Sequence, residues 1–137
     1  NHLLTFGGIG DQPGEFQRPS GMVWHAGRLY IVDAFNDRIQ VFDGDGQFVE
    51  ILGTRDESGR LHYPYDIALG PDRDLWVVEY GAGRLSRFSL EGALLGRFGS
   101  TGSGPKQFGT PCGLAIDSKR RIWVADTRNH RLVSIDL

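Results

Sequence analysis

The chain has 137 residues, of which 39% are hydrophobic, 11% aromatic and 23% charged, and its formal net charge is −2. This composition is typical of a soluble globular domain and disfavours nucleic acid or an acidic membrane as a general partner. Cys112 is the only cysteine, which excludes an intrachain disulfide. No apolar run approaches the roughly 20 residues of a membrane-spanning helix.

Short apolar runs separated by turn residues follow one another in a fixed order. The first unit contains GMVW, LYIV, RIQVF and FVEIL, the second contains DIAL, LWVV, RLSRF and LLGRF, and the third contains GLAI, IWVA and RLVSI. Turn sequences lie between them, for example at residues 43–46 and 71–74. Each run has the length of a β-strand, and helical periodicity is absent. Four such strands, which we label a to d from the inside outward, are typical of a propeller blade.

An acidic residue at the end of strand b and an arginine at the start of strand c recur at intervals of 46 and 47 residues. The pairs are Asp33 with Arg38, Glu79 with Arg84, and Asp126 with Arg131. The two side chains face each other across a short turn, where they can form a charge-assisted hydrogen bond. Because the pair recurs in every unit, we interpret it as structural.

These residues resemble the NHL-repeat family, whose pattern is FG, a Gly-rich stretch, F-x-x-P-x-G, two strands and D-x-x-N-x-R. The first repeat shows Phe6, Gly7, Phe16, Pro19, Gly21, Asp33, Asn36 and Arg38; the third shows Phe98, Gly99, Phe108, Pro111, Gly113, Asp126, Asn129, His130 and Arg131. The middle repeat departs from the pattern at Leu52, His62, Asp66, Glu79 and Ala82, with His62 interpreted as the replacement for the family Phe. The resemblance implies an all-β propeller of four-stranded antiparallel blades, usually six in a ring.

We therefore expect one half-propeller domain over residues 1–137. It comprises a lone strand d at 1–7 and repeats at about 8–53, 54–99 and 100–137. Three blades are too few to close a ring. We expect a homodimer with six blades, in which strand exchange places residues 3–6 of each copy beside the 122–137 sheet of the other. The alternatives are half of a longer six-repeat chain and a larger closed ring.

The d–a and b–c connections of a propeller form its upper face, where aromatic rings and arginines suit a partner site. The candidate binding residues are Arg18, Phe35, Tyr63, Tyr65, Tyr80 and Arg128. Basic groups on this face (Arg18, Arg55, Arg60, Lys106 and Arg128) are balanced by acidic ones (Asp11, Glu15, Asp37, Asp56 and Glu57). This balance disfavours RNA and favours a protein or peptide.

Ser20, Tyr65 and Cys112 follow the repeat prolines, and we expect them near the central channel with Asp66. Facing Cys112 thiols could bind a soft metal, whereas the simpler interpretation is a small residue buried at a tight turn. The histidine spacings and Gly-rich connections match no zinc or phosphate motif, so we expect no catalytic residue, metal or cofactor.

The sequence thus predicts a non-catalytic scaffold that assembles with itself and binds a protein or peptide. One alternative is a purely structural or engineered half-propeller whose main property is assembly. The other is a channel-centred metal-dependent hydrolase or lyase, because the resemblance extends to propellers with such activities.

Overall fold

The computed structural model describes residues 1–53 and 59–137. Three antiparallel sheets follow one another along the chain, and each keeps its strands in sequence order. Blade 1 contains β1 (Pro19–His25), β2 (Arg28–Asp33), β3 (Arg38–Asp43) and β4 (Phe48–Leu52). Blade 2 contains β5 (Pro64–Leu69), β6 (Asp74–Glu79), β7 (Arg84–Ser89) and β8 (Leu94–Phe98). A short parallel pair, β9 (Ser100–Thr101) with β10 (Gln107–Phe108), precedes blade 3, which contains β11 (Gly113–Ile116), β12 (Arg121–Asp126) and β13 (Arg131–Asp136).

The hydrophobic core lies between neighbouring blades. Side chains alternate between the two faces of a strand, so each blade contributes apolar groups to both of its neighbours. Between blades 1 and 2 the buried residues include Val32, Ile39, Leu52, Ile67 and Val77. Between blades 2 and 3 they include Val78, Leu85, Phe108, Ile122 and Val124. This layering of two four-stranded sheets and one three-stranded sheet is the propeller-like arrangement that the sequence predicts.

A glycine with a left-handed backbone marks the start of each d–a connection. Gly7, Gly53 and Gly99 have φ values of 99°, 89° and 94°. A Cβ added to these glycines would lie 2.9, 2.7 and 2.6 Å from side-chain atoms of Phe16, Leu61 and Phe108, respectively. Glycine is therefore required both by the backbone and by the apolar side chain packed against it.

The position of the family Phe in the middle repeat is occupied by Leu61, and the assignment of His62 to it was wrong. Leu61 is 1% exposed and packs against Gly53, whereas His62 is exposed. The sequence from Gly53 to Pro64 is one residue shorter than the equivalent stretches in the other repeats. An alignment without gaps therefore shifts this connection by one residue.

Residues 1–7 contain no strand, although the sequence predicts strand d there. The Phe6 ring nonetheless packs beside blade 1, with its centroid 5.0 Å from that of Phe42. It also covers Gly46, as Leu52 covers Gly92 in the following blade. Phe6 therefore contacts blade 1 in the way that Leu52, on the outer strand β4, contacts blade 2.

The b–c connections of blades 1 and 3 are single 3-10 turns, Ala34–Asn36 and Thr127–Asn129. Asn36 and Asn129 donate to the carbonyls of Gly10 and Gly102, at 3.0 and 2.8 Å. The left-handed residue is the next one in each turn, with φ of 53° at both Asp37 and His130. Within residues 1–53 and 59–137, no helix is long and apolar enough to cross a membrane.

Candidate binding surface

The three predicted acid–arginine pairs all form in the structure. Arg38 Nε donates to Asp33 at 2.8 Å, Arg84 Nε to Glu79 at 2.9 Å, and Arg131 Nε to Asp126 at 2.8 Å. The three carboxylates are fully buried. A repeated buried pair of this kind fixes the upper ends of strands b and c in each blade.

The same arginines also hold the d–a connections in place. The Arg38 guanidinium donates to the carbonyls of Asp11, Gln12 and Glu15 at 2.7, 3.0 and 2.9 Å. Arg131 makes the equivalent contacts in blade 3, at 3.1, 3.0 and 2.9 Å, with the carbonyls of Ser103, Gly104 and Gln107. The ion pairs therefore support the loops that build the upper face.

The residue before each repeat proline has a left-handed backbone, with φ of 80° at Arg18, 48° at Tyr63 and 48° at Thr110. This conformation is uncommon for residues other than glycine, and the α region is already disfavoured before proline. It recurs in all three blades, so it belongs to the repeat. In blades 1 and 2 it brings the side chains of Arg18 and Tyr63 together on the upper face.

The structure brings five of the six candidate binding residues together in what we call the aromatic cluster: Arg18, Phe35, Tyr63, Tyr65 and Tyr80. The Tyr63 ring is central, with centroid distances of 5.3, 6.3 and 4.8 Å to Phe35, Tyr65 and Tyr80. Arg18 lies 5.3 Å from the Phe35 ring and 5.7 Å from the Tyr65 ring, and donates to Tyr63 Oη at 3.0 Å. The cluster joins blades 1 and 2 and leaves Phe35 58% exposed.

Arg128, the sixth candidate, lies apart from this cluster. It belongs to the b–c turn of blade 3 and lines a cavity of about 270 Å³ with Thr101, Ser103 and Asn129. Three of the charged residues counted on the upper face, Arg55, Asp56 and Glu57, lie outside the described residues.

The predicted channel residues make contacts of their own. Ser20 Oγ donates to the Tyr65 carbonyl at 2.6 Å, and Cys112 Sγ lies 2.7 Å from Thr127 Oγ1. The Asp66 carboxylate accepts from its neighbour's amide, Ile67 N, at 2.9 Å and from Leu114 N at 3.0 Å. Asp66 thereby connects β5 to β11. In the described parts of the chain, no three His, Cys, Asp or Glu residues group in a way that could hold a metal ion.

Beside the aromatic cluster lies a basic cavity of about 360 Å³ that the sequence reasoning missed. Its lining residues are Asp37, Arg60, Leu61, His62, Arg84 and Arg97. Asp37 connects the two features, because its carboxylate accepts a hydrogen bond from the Tyr63 amide at 2.7 Å. A departure from the repeat could have revealed this cavity: Ser86 and Arg97 occupy positions that are Gln40 and Ile51 in blade 1.

Comparison with known proteins places the chain among repeat proteins. A family profile described as "NHL repeat" matches residues 108–133. NHL repeat-containing protein 3 of Homo sapiens is 28% identical over 111 residues, which cover 74% of this chain and 32% of that protein. Protein brain tumor of Drosophila melanogaster is 30% identical over 135 residues, which cover 96% of this chain and 12% of that protein. The chain thus spans about a third or less of these relatives.

Among solved structures, virginiamycin B lyase from Staphylococcus aureus superposes with a TM-score of 0.63 at 19% sequence identity. The match covers 87% of this chain and 41% of the lyase. At this identity the likeness concerns the fold alone.

Proposed function

The chain belongs to the NHL-repeat family, and from that premise we propose that it is a non-catalytic scaffold whose upper face binds a protein or peptide. The aromatic cluster carries this proposal. Its rings are already held by one another and by Arg18, so binding would order few side chains. Aromatic and arginine side chains also dominate the energetics of known protein interfaces.

The packing of the cluster favours a peptide over single-stranded nucleic acid. Nucleobases bind by stacking on open aromatic faces along a positively charged groove. Here Tyr63 contacts three other rings, and Arg18 covers Phe35 and Tyr65. The net charge of −2 supplies no general attraction for phosphate.

A channel-centred enzyme finds less support in these contacts. The likeness to a lyase concerns the fold, and Asp66 uses its carboxylate to bind backbone amides between two blades. Cys112 is in contact with Thr127. The candidate channel groups therefore have structural partners that explain their presence.

The binding proposal can be tested by selecting peptides from a displayed random library on the immobilised chain. The variant Phe35→Ala removes the most exposed ring of the cluster, and Phe48→Ala, on strand β4, is the matched control. We expect Phe35→Ala to weaken the selected peptides by at least about tenfold, or about 1.4 kcal/mol, and Phe48→Ala to leave them unchanged. Equal binding to both variants would place the site elsewhere.

We also propose that a second copy of the chain closes the ring, because blades 1 and 3 each leave an apolar face exposed. The residue after the repeat arginine is 0% exposed at Ile39 and Leu85 but 73% exposed at Leu132. On the opposite side, Met22 is 58% exposed, whereas the equivalent Ile67 is 4% exposed. Blade 1 of one copy could therefore cover blade 3 of another, and two such contacts form a closed two-fold ring.

Light scattering on the purified chain tests this assembly. We expect a mass of about twice the 15.2 kDa of one chain. A folded monomer, or a larger closed ring, would contradict the two-copy arrangement.

A further inference from the structure

One cross-strand pair of blade 2 contains an arginine, whereas the equivalent pair of blade 1 consists of two neutral residues. In blade 1, Gln40 lies opposite Ile51 and donates to the Glu15 carbonyl of the d–a connection at 2.6 Å. The paired positions in blade 2 are Ser86 and Arg97. The short side chain of Ser86 leaves space on this face of the sheet, and Arg97 extends across it.

Arg97 takes over the contact that Gln40 makes with the loop. Its guanidinium donates to the Arg60 carbonyl at 2.6 Å and to Ser86 Oγ at 3.3 Å. Both acceptors are neutral. The loop is thus held as it is in blade 1, but with an added positive charge.

Glu79, the nearby carboxylate, is already saturated by other donors. It accepts from Arg84 Nε and Nη2 at 2.9 and 3.0 Å, from the His62 amide at 2.8 Å, and from Ser86 Oγ. Burial and then the neighbouring Arg84 charge lower the pKa of Arg97. Among the described residues, Arg97 has no carboxylate within ion-pair distance.

The guanidinium of Arg97 lines the basic cavity together with Arg60 and Arg84. Asp37 is the acidic residue in the described lining, and its Oδ1 accepts a hydrogen bond from the Tyr63 amide. Among the described lining residues, positive charge therefore exceeds negative charge, and the cavity lies next to the aromatic cluster, whose Phe35 ring is exposed. Such a site favours a planar anion, which a guanidinium can bind through two parallel hydrogen bonds.

We propose that the basic cavity binds the carboxylate of an acidic residue in the peptide that the aromatic cluster recognises. This inference rests on the proposed function and adds the chemistry of the partner: an apolar or aromatic side chain against Phe35 and an Asp or Glu in the cavity. Arg97 is the residue that gives blade 2 this preference.

The test uses the peptide library selected on the intact chain, followed by synthetic peptides in which each Asp or Glu is replaced by Asn or Gln. We expect the wild-type chain to select peptides with an acidic residue at a fixed distance from an apolar one. The double variant Ser86→Gln with Arg97→Ile installs the neutral pair of blade 1. It should lower the affinity for the acidic peptide at least tenfold and leave that of the amide peptide unchanged.

A second variant, Arg97→Gln, retains a donor for the Arg60 carbonyl and should show the same loss if the double variant does not fold.

Selected peptides without an acidic preference, or acidic peptides that bind both variants as tightly as the wild type, would show that the cavity inference is wrong. The proposed function would still stand in that case, provided that Phe35→Ala weakens binding. Failure to select any peptide would overturn both the cavity inference and the proposed function. Tighter, Arg97-dependent binding of an oligouridylate would assign the cavity to nucleic acid and reject the peptide.

Discussion

Arg38 and Asp33 form an ion pair that is buried on both sides. Arg38 Nε lies 2.8 Å from Asp33 Oδ2, and the two side chains are 7% and 0% exposed. The carboxylate also accepts hydrogen bonds from the Gln17 amide and the Asn36 side chain, at 2.8 Å each. Removing one of the two charges would leave the other charge buried without an opposite charge to balance it.

The variant Asp33→Asn should therefore lower the free energy of unfolding by about 3–5 kcal/mol, the usual cost of an uncompensated buried charge. Urea unfolding followed by tryptophan fluorescence measures the change. The matched control is Asp72→Asn, which breaks an exposed pair with Arg120 and should have a much smaller effect. Equal losses in the two variants would show that burial does not determine the strength of the pair.

Asp126 makes stability depend on acid pH. Burial raises the pKa of this carboxyl, but hydrogen bonds from Asn129, the Gly109 amide and Arg131 outweigh it, so the pKa is lowered. A folded pKa below the unfolded value of about 3.9 means that the carboxylate stabilises the fold above that pH. This contribution is lost as pH falls through the folded pKa.

Asp126→Asn should therefore be less stable than the wild type near neutral pH, and the difference should shrink below about pH 4. Urea midpoints measured from about pH 7 to about pH 3 give both curves. Parallel curves over this range would mean that Asp126 is not a source of the pH dependence.

Gly99→Ala should destabilise the fold by at least about 1 kcal/mol, because an L-residue is strained at a left-handed backbone. Its φ is 94°, and an added Cβ would lie 2.6 Å from the Phe108 ring. Gly96→Ala is the control, since no described atom outside Gly96 and its two chain neighbours lies within 4 Å of the added Cβ. The difference in Tm between the two variants measures the effect; a similar Tm for both would contradict it.

Leu132→Asp should dissociate the proposed two-copy ring, because it places a carboxylate on the face that blade 1 of the second copy would cover. Leu95→Asp is the control: Leu95 is 52% exposed on the outer strand β8 and is not equivalent to an inter-blade residue. Light scattering of the two variants at equal concentration should give the mass of one chain for Leu132→Asp and the mass of two chains for Leu95→Asp. Retention of the assembled mass by Leu132→Asp would show that this face of blade 3 does not form the contact between the two copies.

The strands and ion pairs could be predicted from sequence because their causes are local. Apolar runs of strand length, turn residues and the spacing of Asp33 with Arg38 all lie within one unit. The wrong assignment of His62 to the family Phe position shows the limit of an alignment without gaps. The spacing from Gly53 to Pro64 is one residue shorter than in the other repeats, and the packing of Leu61 against Gly53 shows which residue replaces the family Phe.

Five of the six candidate binding residues lie in one cluster, but their arrangement could not be predicted from the sequence. Topology alone places Phe35 and Tyr80 on the upper face. The stacking of Arg18 on rings from both blades depends on how blade 1 packs against blade 2. Arg97 was missed because it lies on an outer strand, where an exposed arginine is ordinary until its contact with the Arg60 carbonyl is seen.

The left-handed residue before each repeat proline also bears on which positions of the protein can tolerate substitution. Arg18, Tyr63 and Thr110 differ in charge, size and polarity, yet all three adopt the same backbone region. The framework, and not the side chain, therefore imposes the conformation. Each blade therefore has one position on the upper face where the side chain can be substituted without changing the backbone. Substitutions at these three positions could change the ligand while the blades keep their structure.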